Sequence, residues 1–123
     1  MFFDIDPTNG VAIYQQIIRQ TSFAVAGEAL RPGDRVPSVR QLARQLAINP
    51  NTVAHAYRQL QDDRVLESVR GTGLVVAAGA VRRCRQTRTN VIRERLRHVL
   101  VEARQSRLTD EEIQTMIDAE LKP

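Results

Sequence analysis

The shortage of cysteine and of long apolar runs sets the first limits on this sequence. The 123-residue chain has one cysteine, Cys84, so no disulfide can form within it, which is typical of a reducing cytoplasm. Residues 1–7 lack the basic and apolar regions of a signal peptide. The longest apolar run, residues 74–80, falls well short of the roughly 20 residues that cross a bilayer. We therefore expect a cytoplasmic protein without membrane contact.

Aromatic residues and lysine are also scarce. Aromatics make up 4% of the chain and tryptophan is absent, which argues against binding by a row of stacked bases. The formal net charge of +4 indicates an anionic partner only weakly. Residues 1–80 hold eight arginines against seven acidic residues, whereas residues 81–123 hold ten basic and seven acidic residues. Net charge alone therefore does not identify a nucleic-acid surface.

The residues of an enzyme active site are missing as well. We find no nucleophile with a matched base, no phosphate-binding loop and no paired-carboxylate site. Glu111 and Glu112 are better explained by a helix cap than by acid–base chemistry. Two histidines and one cysteine do not supply a clustered set of metal ligands. The sequence thus predicts no enzymatic activity, no metal and no cofactor.

The N-terminal segment predicts one helix after an extended lead-in. Residues 1–10 are rich in turn formers. From Val11 onward, apolar residues recur at three- and four-residue steps, which is typical of a helix. This helix should end between residues 27 and 30, before a tight turn at residues 31–34.

Two short helices follow in close succession. Ser38 is a preferred N-cap and predicts a second helix that stops near Ala47. Asn49 followed by Pro50 predicts the start of a third helix, over residues 49–62. Because only about three residues separate them, the two helices are predicted to form a helix-turn-helix.

A β-hairpin is predicted after the third helix. Residues 67–70 and 74–77 have the composition of short strands, and the glycine-rich residues 71–73 form the turn between them. The predicted fold is therefore mostly α with a small β-hairpin wing, a winged helix-turn-helix of the α+β class. We expect this DNA-binding domain to span residues 1–78.

The remaining residues, 79–123, predict a short helical segment for dimerisation. One long helix should begin at about residue 81 or 90 and end near 105, and a last helix begins at Thr109 with a capping box to Glu112. Two helices cannot enclose a drug-sized pocket, so their apolar edges should pair with a second subunit. The predicted dimerisation residues are Ile92, Leu96, Val99, Leu100, Ile113, Met116 and Ile117.

Short polar side chains mark the start of the third helix. Asn can pair with adenine through two hydrogen bonds, and a helix N-terminus attracts phosphate. Arginines of the second helix can meet phosphates or guanine edges. Tyr57 suits the core, with a phosphate bond from its hydroxyl as the alternative. The predicted DNA contacts of the two helices are Arg40, Arg44, Asn49, Asn51, Thr52, His55 and Tyr57.

The hairpin tip adds a second candidate contact region. Glycine allows a tight turn and close approach to a surface, so Arg70 would be held where it can enter a narrow minor groove. The predicted contacts of the tip are Arg70, Gly71 and Thr72.

Three segments in this order and spacing resemble the GntR family of bacterial repressors: residues 31–43, 49–60 and 70–73. The Asn-Pro-Asn-Thr-Val segment and the short tail are most similar to its YtrA subfamily. The resemblance implies a winged-helix domain, a homodimer and a palindromic operator, with DNA contacts at Arg40, at the first turn of the third helix, and at Arg70 and Gly71 of the wing tip. Ala54 departs from the family, where many members have arginine, and so does the Asp-Arg pair that replaces the usual Glu-Gly at residues 63–64.

We therefore expect a homodimeric, sequence-specific repressor of a double-stranded DNA operator. The subfamily resemblance implies control of a transporter operon. One alternative is a winged-helix module that binds proteins and not DNA. Another is a one-component sensor that binds a small ligand or a metal at the dimer interface, although no effector is identified by the sequence.

Overall fold

The computed structural model describes residues 3–123, which form two compact units that end at Arg88 and Pro123. Helices dominate and one antiparallel two-stranded sheet is present, so the predicted mostly α fold with a β-hairpin wing is confirmed. The elements are α1 (Ile13–Ala26), α2 (Val39–Leu46), α3 (Pro50–Asp62), β1 (Leu66–Val69), β2 (Gly73–Val76), α4 (Ala80–Gln105) and α5 (Asp110–Leu121).

The segment before α1 is held along that helix by two glutamines. The Gln16 side chain accepts a hydrogen bond from the Asp6 amide at 2.8 Å and donates to the Asp6 carbonyl at 2.7 Å. Gln20 makes the same two bonds with Asp4. The backbone of this segment thereby obtains the hydrogen-bond partners that a neighbouring strand would otherwise provide. Residues 1 and 2 of the predicted lead-in lie outside the described residues.

Helix α1 begins two residues later than the apolar spacing predicts. The amide of Val11 donates to the side-chain oxygen of Asn9 at 2.9 Å, a local turn that competes with helix formation. Ala12 then stands at the N-cap without a side-chain cap. The prediction that the helix starts at Val11 is therefore wrong, because this local bond takes the place of the first helical residues.

Helices α1, α2 and α3 enclose the core of the first unit. Ile17, Leu42, Val53 and Leu60 are fully buried there. Tyr57 is 1% exposed, and its hydroxyl donates to the carbonyl oxygen of Pro37 at 2.8 Å. This bond ties α3 to the segment that leads into α2, so the helix-turn-helix is fixed at both of its helices.

We expect Tyr57→Phe to lower the free energy of unfolding by about 1–2 kcal/mol, because the half-buried Pro37 carbonyl would lose its donor while the ring keeps its packing. Denaturant unfolding followed by circular dichroism measures this change. Tyr14→Phe is the matched control, since the Tyr14 hydroxyl contacts only the exposed Gln15 side chain at 3.4 Å. Equal losses in the two variants would contradict the assignment.

The wing hairpin pairs β1 with β2, with Leu66 opposite Val76 and Val69 opposite Gly73. Both strands begin and end one residue earlier than predicted. Arg35 adds an isolated bridge to Val75, so the predicted tight turn before α2 also supplies an edge to the sheet. This edge contact brings a residue distant in sequence to the wing.

Arginine side chains fix the start of α4. The Arg83 guanidinium donates to the carbonyl of Arg64, whose φ is 60°, and to that of Ala78. Arg85 donates to the Ala26 carbonyl at 3.1 Å, at the end of α1. The earlier of the two predicted starts of α4, at about residue 81, is therefore correct.

Over residues 3–123, no helix combines the length and apolarity that crossing a membrane requires.

The second unit, Thr89–Pro123, contains the later part of α4 and all of α5. Thr109 caps α5 by accepting from the Glu112 amide at 3.1 Å, and the Glu112 carboxylate accepts from the Thr109 amide. The predicted capping box is thus confirmed.

Candidate nucleic-acid interface

The N-terminal turn of α3 combines a helix cap with an absence of acidic side chains. The Asn49 side chain accepts from the Asn51 amide at 2.8 Å, and Pro50 occupies the first helical position. Because Pro50 has no N–H and the Asn51 and Thr52 amides are bonded to Asn49, it is the positive end of the helix dipole that favours a phosphate or another acceptor here.

Asn49 and Asn51 differ in the side-chain hydrogen-bonding groups that remain available for DNA. Reading adenine through two hydrogen bonds requires both the oxygen and the amino group of the side chain. Asn49 already accepts a cap bond through its oxygen, which holds the side chain against the helix end, and its free amino group suits a phosphate. No bond within residues 3–123 occupies the exposed Asn51 side chain. Asn51 is therefore the stronger candidate for base reading.

The outer face of α3 extends beyond the predicted residues. Two side chains seven residues apart on an α-helix point in directions that differ by only about 20°, and they lie about 10 Å apart along the axis. Arg58 consequently shares the face of Asn51, is exposed, and has no ion-pair partner within the described chain. Sequence reasoning missed Arg58, although its spacing from Asn51 could have indicated it.

Two further predicted contacts of α3 lie beside this face. Thr52 is half-buried, with its backbone amide bonded to the Asn49 carbonyl. His55 is exposed and stacks on Tyr14 of α1, with ring centroids 4.2 Å apart and ring planes inclined by 16°. Helix α1 therefore contributes a side chain next to the candidate DNA-binding face, a long-range contact that the sequence did not reveal.

The structure places Tyr57 in the core, as the first of its two predicted roles requires. Its side chain is buried and its hydroxyl proton is donated to Pro37, so the phosphate bond considered from sequence has no free donor. Burial also raises the pKa of the Tyr57 hydroxyl. The physical reason is the helical period, which places Tyr57 on the buried stripe of α3 with Val53 and Leu60.

The charge along α3 is asymmetric. Its first turn has no acidic residue, whereas Asp62 lies at its C-terminal end and Asp63 follows as the C-cap. A shallow depression of about 460 Å³ runs along this later half and is lined by His55, Arg58, Gln59, Gln61 and Asp62. Because Asp62 and Asp63 repel phosphate, the C-terminal end of α3 is its least favourable part for DNA.

Helix α2 presents two cations. Ser38 and Gln41 form a capping box, in which the Gln41 amide donates to the Ser38 hydroxyl at 3.1 Å. Arg40 and Arg44 are exposed, one turn apart, and neither has a salt bridge among residues 3–123. They are therefore free to meet phosphate oxygens.

The wing tip is a tight turn that exposes Arg70. The Thr72 amide donates to the Val69 carbonyl at 3.0 Å, and Gly71 has a φ of 81°, a value that favours glycine. Arg35 also reaches the wing, because its Nε lies 3.9 Å from where a Cβ on Gly73 would stand. Sequence reasoning missed Arg35, since its approach depends on the bridge to β2.

The second unit has an apolar groove between α4 and α5. Ile92, Leu96, Val99 and Met116 are 47–59% exposed, whereas Ile113 is buried. Leu100 and Ile117 are half-buried. The groove has a volume of about 330 Å³. It is lined by Leu96, Val99, Leu100, Ala103, Ile113, Met116, Ile117, Glu120 and Leu121.

The described residues offer little for metal or redox chemistry. From residue 3 to residue 123, no three His, Cys, Asp or Glu side chains lie close enough together to hold a metal ion. Cys84 is fully buried, and this burial raises the pKa of its thiol. A protonated, buried thiol is a poor nucleophile, so Cys84 acts as a core residue.

Comparisons with known proteins agree with this geometry. The family model for bacterial regulatory proteins, gntR family, matches residues 13–76. The HTH-type transcriptional repressor YtrA of Bacillus subtilis (strain 168) is 35% identical over 99 residues, which cover 80% of this chain and 76% of that protein. A solved transcriptional regulator from Oenococcus oeni is 29% identical with a TM-score of 0.78, covering 98% of this chain and 99% of that one. YtrA from Sulfolobus acidocaldarius, a GntR-family transcription factor, is 28% identical with a TM-score of 0.60, covering 98% of this chain and 100% of that one.

Proposed function

This chain belongs to the GntR family of bacterial regulatory proteins, and from that premise we propose that it is a homodimeric repressor that binds a palindromic DNA operator. Family membership makes it a DNA-binding transcription regulator and not an enzyme. The repressor role rests on the name of the Bacillus subtilis relative. The single observation that supports sequence reading is the exposed, unoccupied Asn51 side chain on the acid-free N-terminal turn of α3.

In this proposal α3 lies in the major groove. Asn51 and Thr52 contact base edges near the helix N-terminus, where the positive end of the helix dipole also attracts a phosphate. Arg58 follows two turns later on the same face and binds a phosphate or a guanine edge. Arg40 and Arg44 of α2 bind the sugar-phosphate backbone, which positions α3 without reading sequence.

The wing binds the flanking DNA. Arg70 at the tip and Arg35, which lies beside Gly73 at the edge of β2, place two guanidinium groups at the wing. Arginine is favoured in narrow minor grooves, where the negative potential is strongest. Thr72 and the Gly71 backbone bring the chain close enough for these side chains to enter.

A second copy of the chain covers the apolar groove of the second unit. Contiguous exposed apolar surface on a protein of this size indicates an interface, and a two-fold pairing buries the same residues of each subunit. Such a dimer presents two α3 helices to two half-sites, with a separation of about one DNA turn as the simplest geometry.

Selection from a duplex library with a randomised core tests the proposal. The selected duplex and a scrambled version are then compared by fluorescence anisotropy over a series of salt concentrations. We expect an inverted repeat and a preference of about 1,000-fold or more over scrambled DNA. Equal affinities at every salt concentration, or selection without any motif, would favour a protein-binding module.

Arg70→Ala is expected to weaken binding to selected and scrambled DNA alike. Because the substitution removes one cation from each subunit, the slope of log affinity against log salt should fall by about 2 in the dimer. Lys122→Ala is the charge-matched control, since Lys122 lies beyond the end of α5 and should leave the slope unchanged. A similar fall in both variants would assign the effect to net charge and not to the wing.

A further inference from the structure

The stack between Tyr14 and His55 joins two helices at the edge of the candidate DNA-binding face. The ring centroids lie 4.2 Å apart with an inclination of 16°. The chain has only two tyrosines and three phenylalanines, so one of its few aromatic rings is used to cover an exposed histidine. His55 has no ion pair or hydrogen bond among the described residues, which leaves its ring nitrogens available.

Stacking restricts an otherwise mobile side chain. An exposed histidine on a helix samples several rotamers, and all but one of them are lost when the ring binds a partner. A ring held face to face against Tyr14 keeps its plane fixed, while His55 as a whole remains exposed. Pre-organisation of this kind strengthens binding by reducing the conformational entropy that is lost.

The helical geometry places His55 close to the face that carries Asn51. His55 follows Asn51 by four residues, so it lies about one turn further along α3 and about 40° away around the axis. A neutral imidazole has one N–H donor and one acceptor. In the major groove, the N7 atom of a purine accepts a hydrogen bond from such a donor.

We propose that Tyr14 is a positioning residue of the DNA-binding surface, which holds His55 so that its imidazole N–H donates to N7 of one purine in each half-site. The inference rests on the proposed function and deepens it, since it adds α1 to the recognition surface. It predicts a purine at one defined position of the operator, together with a dependence of that preference on an aromatic ring at residue 14.

Replacement of single purines by their 7-deaza analogues tests the hydrogen bond. The full-length protein is titrated with the selected duplex, with each purine changed in turn in both half-sites. At one position we expect the loss of N7 to weaken wild-type binding about tenfold. That loss should vanish in His55→Ala and in Tyr14→Ala, but persist in Tyr14→Phe, which keeps the ring.

The double variant separates positioning from a structural role. Tyr14→Ala combined with His55→Ala should lose no more preference for the N7-bearing duplex than either single variant, because both changes remove the same contact. The readout is a ratio of two affinities for one protein sample, so partial unfolding cancels. Tyr14→Leu, which fills much of the same space without an aromatic ring, serves if Tyr14→Ala does not fold.

Two results would overturn the inference while the proposed function stands. The 7-deaza effect could persist in Tyr14→Ala and Tyr14→Leu, or it could be absent at every purine in a wild-type protein that still prefers the selected duplex. A wild-type protein that does not distinguish selected from scrambled DNA would instead refute the proposed function itself. The two failures are therefore distinguishable in the same titrations.

Discussion

Replacing Asn51 and Thr52 together by alanine is expected to reduce the preference for the selected operator by at least about 100-fold, while binding to scrambled DNA persists. A good base contact provides about 1–3 kcal/mol of discrimination, and each substitution acts in both half-sites of a dimer. The whole difference between specific and non-specific binding is typically about 4–10 kcal/mol. Losing these contacts should therefore remove most of the free-energy difference between operator and scrambled DNA.

The same variant should retain the phosphate contacts. Arg40, Arg44 and Arg70 are unchanged, so the salt dependence of binding to scrambled DNA should equal that of the wild type. Gln61→Ala is the matched control, because Gln61 is an exposed amide on α3 about 80° around the helix from Asn51. Unchanged specificity in the double variant, or an equal loss in Gln61→Ala, would contradict the assignment of base reading to the start of α3.

The second large effect is expected from a charge in the groove of the second unit. Leu96 is 49% exposed and lines this groove, so Leu96→Glu should leave the isolated subunit folded but prevent a second copy from covering the apolar surface. A monomer engages one half-site at a time. Because the second contact is no longer intramolecular, affinity for the full operator should fall by about 100-fold or more.

Sedimentation velocity and anisotropy with the selected duplex measure the two consequences. Val101→Glu is the matched control, since Val101 is an apolar residue of the same helix, is 46% exposed, and does not line the groove. We expect Val101→Glu to remain a dimer with wild-type affinity. A Leu96→Glu protein that stays dimeric, or equal dissociation of the two variants, would place the interface elsewhere.

Local chemistry explains the parts of the fold that the sequence predicted well. Ser38, Asn49 and Thr109 cap their helices through bonds that span only two or three residues, so the pattern of residue types is sufficient to predict them. The hairpin tip is equally local. The period of α3 likewise indicated that Tyr57 lies in the core, although its hydroxyl partner could not be read from the sequence.

Contacts between distant segments explain what the sequence did not predict. His55 stacks on a residue 41 positions earlier in the chain, and Arg35 reaches Gly73 through an edge bridge to β2. Neither pairing has a signature in spacing or composition, because it depends on how α1 and the segment before α2 pack. The start of α4 was ambiguous for the same reason, since the Arg83 and Arg85 bonds fix it to carbonyls elsewhere in the first unit.

Photo-crosslinking from residue 51 shows whether the start of α3 lies against the bases of the operator. A photoreactive amino acid replaces Asn51 in the full-length protein, which is irradiated in complex with the selected duplex, and the crosslinked nucleotide is identified. The same residue placed at position 61 serves as the control. We expect a crosslink from position 51 to one base in each half-site and none from position 61. A stable complex that crosslinks from position 61 and not from position 51 would contradict it.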